Sequence, residues 1–431
     1  MPGGRQGGAR RRSVAVVAGV RTPFALCDGA FRGQSVVHLG RMVCAELVAR
    51  AGLDPSRIDA LVLGAGSGGE RFDNPARHVA LAAGLPNGVD AWTCSGSSHI
   101  GLRALASMVA AIASGQVQVG VVCAVAAASD RVYGMSRGLS ALLHSLGQRP
   151  LLQQVVAMGR LGRRDLMPRT LVPEARLSTP KTALAERLAQ DFLIGKEEQD
   201  GYAMRSHLRG AAAWRDGLFD DTVMPAFVPF QPPLYQDDAL IGACDDETMK
   251  LSPLLDVASG GTLSAGNSAP AADGAAALLL MRAGSARGEG LHPLGLVRAW
   301  SFAAGELQRD ALLGQSLAIP QVLHRSNLRL RDVASVQMHV GSAVQAICVA
   351  RRLESPSFCR EVLGRGALGR IDPERCNRLG DSLAFGHAAG ASDLRMVLQG
   401  LRDARQHGWE NCLVASGEGD AQGGALILDL D

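Results

Sequence analysis

Short apolar runs alternate along this chain with longer stretches whose apolar residues recur at helical spacing. Ser13 to Gly19 reads as a strand, Val36 to Ala51 as a helix and Ile58 to Gly64 as a second strand. A helix from about Ser98 to Ser114 and a strand from Val117 to Ala124 continue the rhythm. Strand and helix in regular alternation predict an α/β fold.

From about residue 125 to 252 the chain becomes richer in Arg, Pro and polar residues. Amphipathic helices near Thr182 to Asp191 and Lys196 to Trp214 mark this stretch as an inserted, mostly helical subdomain. The α/β rhythm then resumes with Gly274 to Met281, Leu296 to Ser301 and Val333 to His339. A helix after Gly386 and two closing strands, Asn411 to Ser416 and Gly424 to Leu430, complete it. Two halves with one rhythm follow: residues 13–282, which carry the insertion, and 283–431. Residues 1–12, arginine-rich among glycines, read as a disordered basic tail. Their acid-free composition leaves a transit peptide as the alternative.

Composition narrows the function classes. With 431 residues, 47% hydrophobic and 20% charged, the chain can bury two or more domain-sized cores. A formal charge of +3 with scattered arginines and 4% aromatic residues gives no footprint for nucleic acid. No run approaches the ~20 apolar residues that span a bilayer. The nine cysteines form no C-x-x-C pair and no zinc-like spacing with histidine, so neither a metal site nor a disulfide framework is expected, and reduced thiols point to the cytoplasm. The Gly417 to Gly424 stretch lacks the G-K-[ST] of a phosphate loop and reads as tight turning beside a site.

Three residues are candidates for chemistry. Ser98 opens a helix, where free N–H groups and the helix dipole favour developing negative charge, although serine also serves there as a plain N-cap. His387 lies in Phe385-Gly386-His387-Ala388-Ala389-Gly390 before a helical run, and His339 closes the apolar strand from Val333. In α/β chains, sites gather at such strand ends and helix starts.

These segments together resemble the thiolases. Arg21-Thr22-Pro23-Phe24, Ala91 to Leu105, Gly266 to Ala277 (Gly266-Asn267-Ser268-Ala269-Pro270 onward), Met338-His339 and Gly386-His387 fall in thiolase order and spacing. Arg164 to Pro168 and Val223 to Phe227 look like the long-chain 3-ketoacyl-CoA thiolases, the β subunits of fatty-acid oxidation complexes. The resemblance implies two related α/β halves in five layers, α-β-α-β-α, with a CoA-binding loop domain inserted in the first. It also implies a CoA thioester as substrate, no permanently bound cofactor, and contacts to CoA near Asn267, Ala269 and Gly386. It further implies a dimer or larger homo-oligomer, with a second thiolase-type or fatty-acid-oxidation-like subunit as a further partner.

Against the thiolase pattern, the acylated cysteine is Ser98, while the activating histidine is kept as His387. The cysteine that moves a proton at the α-carbon falls, by gap-free counting, at Gly417. The second histidine is His339, but the His-Glu-Ala-Phe segment reads His339-Val340-Gly341-Ser342, so its carboxylate is missing too. At Ala269 a hydroxyl residue is expected. An acyl group on Ser98 would be an oxygen ester, lower in energy than a thioester, so its return to CoA runs uphill. The chain is therefore expected to be an acyltransferase that loads Ser98 from acyl-CoA or an acyl carrier. The acyl group would pass to an oxygen, nitrogen or decarboxylating carbon nucleophile, with His387 as base and His339 beside it, a layout resembling the Cys-His-His site of elongating ketosynthases. Two alternatives stand beside this: a non-catalytic pseudo-thiolase partner, and an ordinary 3-ketoacyl-CoA thiolase.

Overall fold

The computed structural model describes residues 13–67, 72–96, 99–131, 133–134, 137–146, 169–170, 180–242, 244–251 and 261–430. Ser98, the basic tail of residues 1–12 and the Arg164 to Pro168 motif lie outside the described residues. In chain order the strands are β1 (Val14–Arg21), β2 (Ala25–Leu26), β3 (Ala60–Ser67), β4 (Asp90–Ser95), β5 (Val119–Ala126), β6 (Tyr133–Gly134) and β7 (Arg169–Thr170). They continue with β8 (Ala272–Arg282), β9 (Gly295–Ala304), β10 (Ser335–Met338), β11 (Asn411–Ser416) and β12 (Gln422–Asp429).

Strand pairing shows the duplication that sequence rhythm suggested. In the first half β1 pairs antiparallel with β8, β8 antiparallel with β5, and β5 parallel with β3, with β4 added at the edge. The second half repeats this order: β9 antiparallel with β12, β12 antiparallel with β11, and β11 parallel with β10. A short antiparallel contact of β1 with β9 joins the halves, through Val14↔Val297, Ala15↔Leu296 and Val16↔Gly295.

Both faces of these strands are covered, which is why they read as continuous apolar runs and not as alternating ones. On β5, Val121, Cys123 and Val125 pack toward the outer helix Val36–Ala51, while Val122, Ala124 and Ala126 face the inner helix Ile100–Ser114. On β11, Leu413 and Ala415 join the outer cluster with the helices Gln315–Ser326 and Ala343–Glu354. Cys412 and Val414 turn inward to the helix Ala391–Gln406. The two inner helices share one apolar cluster with strands of both halves, so the layers run α-β-α-β-α.

Helix ends follow local chemistry. Ser35 accepts the His38 N–H and Gly52 closes the same helix at φ 62°. The helix expected from Ser98 starts at Ile100, with His99 as its N-cap. The helix expected directly after Gly386 starts at Ala391, because residues near His387 are held as a bridge to Ala271 instead.

Arg21, which ends β1, shows what its motif does. Its guanidinium is buried and donates to both carboxylate oxygens of Asp237, at 2.6 and 2.8 Å. Asp237 also accepts the Phe24 N–H at 2.8 Å and the Trp214 indole N–H at 3.1 Å. This fastens the helix Lys196–Arg215 and its following loop to the first half. Removing one partner of a buried pair leaves the other charge stranded. Asp237→Ala is therefore expected to lower stability by about 3–5 kcal/mol in urea unfolding; a loss no larger than that of an exposed aspartate would contradict the anchor.

Candidate active site

The carboxyl ends of β10 and β11 converge on two imidazoles and a carboxylate. His339 follows β10 directly, and its N–H donates to the Ala415 carbonyl at 2.8 Å, extending the β10–β11 pairing by one residue. Asn377 supports the other side of β10: its side chain accepts the Met338 N–H at 2.8 Å and donates to the Met338 carbonyl at 3.0 Å. His339 is thereby fixed with its side chain fully buried.

His387 is held by backbone on both sides. Its N–H donates to Pro270 at 2.8 Å, and its carbonyl accepts the Ala272 N–H at 3.0 Å. Gly386 before it sits at φ 83°, and a Cβ there would come within 2.9 Å of the Ala272 Cβ. The two rings lie 4.5 Å apart between centroids, at 52°.

Glu418, from the β11–β12 loop, completes the group. Its Oε2 lies 3.5 Å from His339 Nε2, 3.7 Å from His387 Nε2 and 3.2 Å from the Lys181 ammonium. The loop is positioned by two buried glutamines, since Gln315 and Gln345 both donate to the Gly417 carbonyl, at 3.3 and 3.0 Å. Gly341 leaves the space, because a Cβ there would overlap Glu418 Oε1.

Electrostatics set the protonation states. Burial, reinforced by the neighbouring His339 ring, pushes His387 down to about 3, so it is a neutral imidazole at physiological pH. Burial alone would push Glu418 up, but the Lys181 ammonium and the two histidines outweigh it and hold its carboxyl well below the usual carboxylate range. The site thus offers two imidazoles, able to donate N–H groups to a developing oxyanion, beside a proton-accepting carboxylate. The ligand atoms of these three residues also lie within 4.8 Å of one another, a spread that a cation could bridge. The Lys181 ammonium beside the same oxygen already supplies positive charge there.

The flanks of Ser98 lead to the same place. The N–H groups of Gly101 and Leu102, in the first turn of the helix Ile100–Ser114, donate to one Asp393 oxygen at 2.8 and 3.2 Å. His99 packs against Phe302, with ring centroids 5.9 Å apart. Cys94, at the end of β4, is half-buried, and burial raises its thiol, so it is no activated nucleophile.

Of the residues expected near CoA, Asn267 and Ala269 lie on the segment that leads into β8. The Ala269 N–H donates to the Gly341 carbonyl at 3.0 Å. Asn267 is buried, and its amide is committed to Asp200, at 2.9 Å, and to the Thr262 carbonyl, at 3.1 Å, while its oxygen accepts the Ser264 N–H. Asn267 accordingly shapes this loop. Sequence reasoning missed Glu418, Lys181 and Asp393. The signal for Glu418 was a lone acid in a glycine-rich loop directly after the buried strand Asn411–Ser416.

A duplicated five-layer α/β fold with one imidazole at the end of β10 and a second beside it from the loop before an inner helix defines an acyl-transfer enzyme of the thiolase type. A family model described as the thiolase N-terminal domain matches residues 14–284, and one for the thiolase C-terminal domain matches residues 291–430. The chain belongs to the thiolase family. A 3-ketoacyl-CoA thiolase of Erwinia tasmaniensis is 36% identical over 423 residues, covering 97% of each chain. One from Escherichia coli is 35% identical over 427 residues, again with 97% of each covered. Among solved structures, the Bacillus anthracis acetyl-CoA acetyltransferase matches with a TM-score of 0.82 at 24% identity, covering 97% of this chain and 99% of the other. Human mitochondrial 3-ketoacyl-CoA thiolase matches at 0.78 with 22% identity, covering 98% and 99%. These two likenesses show the fold.

Burial raises the Asp393 carboxyl to about 6, against 3.8 ordinarily. The folded chain therefore holds this proton more tightly than the unfolded one, and the charge costs stability above about pH 6, a cost relieved as pH falls toward 4. Asp393→Asn, which can still accept from Gly101 and Leu102, is expected to match or exceed the parent in melting temperature at pH 7.5. Its relative advantage should shrink on acidification to pH 4.5; an advantage that grew instead would contradict the assignment.

Proposed function

We propose that this protein transfers acyl groups by carbon–carbon chemistry on 3-ketoacyl-CoA-type thioesters, with Ser98 as the residue that is acylated. The observation that carries this reading is the imidazole pair, 4.5 Å between ring centroids, with a Glu418 carboxylate oxygen 3.5 and 3.7 Å from the two Nε2 atoms. The curated relatives named 3-ketoacyl-CoA thiolase support this reaction over transfer to an unrelated acceptor.

In the cleavage direction Ser98 Oγ attacks the 3-keto carbonyl, and His387 takes its proton. The carbon–carbon bond breaks, its electron pair passing to the thioester oxygen as an enolate, and the imidazole N–H groups stabilise that oxygen. Once the enolate carbon has been protonated, the products are an acyl-serine, its acyl chain two carbons shorter than that of the substrate, and the two-carbon thioester acetyl-CoA. CoA thiol, or another acceptor, then takes the acyl group. The substrate itself carries CoA, so the reading needs no permanently bound cofactor.

Ser98 favours a second reading, in which the acyl group leaves to an oxygen or nitrogen nucleophile. An oxygen ester lies below a thioester in energy, so such transfer runs downhill where return to CoA does not. The nine unpaired cysteines suit a reducing, cytoplasmic setting for either reading.

Intact-mass measurement after incubation with a panel of acyl-CoAs tests the acylation step. One acyl adduct is expected, mapping to Ser98, absent in Ser98→Ala and unchanged in Cys94→Ala. His387→Ala should slow its formation by about 10²–10⁴-fold, the usual weight of a general base. A label on Cys94, or no adduct with any acyl-CoA, would defeat the reading.

A further inference from the structure

The resemblance to thiolases left the α-carbon proton without a carrier, since the expected thiol falls at Gly417, and it left the second histidine without its neighbouring carboxylate, expected at Val340. Neither position can hold such a group here. A Cβ on Gly417 would lie 2.5 Å from the Gln422 carbonyl oxygen and 2.7 Å from the Gly423 Cα, pointing into backbone. Val340 is fully buried in the apolar cluster of the second half, where a carboxylate would be stranded.

Glu418 is instead the carboxylate that faces the two histidines. Its carboxylate faces His339 Nε2 and His387 Nε2 at 3.5 and 3.7 Å, with 11% of its side chain exposed. Three neighbouring features make that placement specific. Gln315 and Gln345 fix the Gly417 carbonyl, the glycine at 341 leaves room for the carboxylate, and Lys181 reaches it from the helix Lys181–Asp191. A Cβ at position 341 would push the carboxylate from this position.

We propose that Glu418 is the catalytic residue that takes and returns the α-carbon proton of the CoA thioester, in place of the thiol expected at the preceding position. This rests on the acyl-transfer reading above. In the condensing direction a carboxylate oxygen of Glu418 removes a proton from the α-carbon of an acyl-CoA. The C–H electron pair moves into the α-carbon–carbonyl bond, and the thioester oxygen takes up the negative charge against the imidazole N–H groups. The enolate carbon then attacks the acyl-serine carbonyl. A carbon–carbon bond forms, the serine ester C–O bond breaks, and Ser98 Oγ regains its proton from His387. In the cleavage direction Glu418 returns the proton to the enolate carbon. No oxidant, reductant or metal enters the balance.

Groups facing the carboxylate come from three elements: His339 after β10, His387 before the helix Ala391–Gln406, and Lys181 on the inserted segment. All are donors or cations, so the residue starts in the charged form that a base requires.

Solvent exchange at the α-carbon reads this step apart from acylation. The full-length protein is incubated with acetyl-CoA in D₂O buffer and deuterium in the acetyl group is followed by mass spectrometry. Ser98 adduct formation is measured in parallel on the same preparations. The parent protein is expected to incorporate deuterium, and Glu418→Gln, isosteric and uncharged, to lose about 10²–10⁴-fold in that rate while still forming the Ser98 adduct. Gly341→Ala, which keeps the carboxylate but displaces it, should also lose exchange and keep the adduct. Exchange undiminished in Glu418→Gln, or absent in the parent protein, overturns the role of Glu418 even if the adduct forms. Loss of adduct and exchange together in Glu418→Gln overturns it as well, because Glu418 would then act only by orienting His387. Failure of the adduct in the parent protein, with exchange intact and dependent on Glu418, defeats the serine reading and leaves the proton carrier standing.

Discussion

One pair of hydrogen bonds holds the two halves of this site in register. The Asp393 carboxylate, in the first turn of one inner helix, receives the N–H groups of Gly101 and Leu102 in the first turn of the other. A Cβ on Gly101 would overlap the Gly390 carbonyl, so the helices approach as closely as backbone allows. The first half supplies the helix that Ser98 precedes, and the second supplies His387, His339 and Glu418. This contact joins the start of the helix Ile100–Ser114 to the half that carries His339, His387 and Glu418. A buried carboxylate is a costly way to make this join, yet it does so directionally, which apolar contact between two alanine- and leucine-rich helices does not.

The fold was legible because its strands are short, buried on both faces and separated by capped helices. The runs at β1, β5, β8 and β11 needed only local pattern to be found, and so did Ser35 and Gly52 around the helix Val36–Ala51. Pairing order was not legible. Whether β8 lies between β1 and β5 depends on contacts across more than 100 residues, for which a single sequence carries no local signal.

The site was half legible for the same reason. His339 and His387 stand at ends of readable elements, so their position alone made them candidates. Glu418 was not legible because the register puts the expected proton carrier at Gly417, and nothing local marks the acid that follows it for that role. What decides its role is the space left by Gly341 and the grip of Gln315 and Gln345 on Gly417, residues far away in sequence. Lys181 and Asp237 escaped notice similarly, since a charged residue on an amphipathic helix or in a loop ordinarily faces solvent. Glu418 itself stands one residue beyond Gly417, with its carboxylate 3.5 and 3.7 Å from the two histidines.

The account stands on this cluster being able to break a carbon–carbon bond next to a thioester. A single-turnover experiment addresses that most directly: enzyme in excess over a 3-ketoacyl-CoA, no free CoA, and chromatography of the CoA thioesters against time. Release of acetyl-CoA, in step with acylation of the protein by the chain two carbons shorter and up to one equivalent per site, is the predicted result. A 3-ketoacyl-CoA that remains intact under conditions where the protein is folded and binds it would contradict the account.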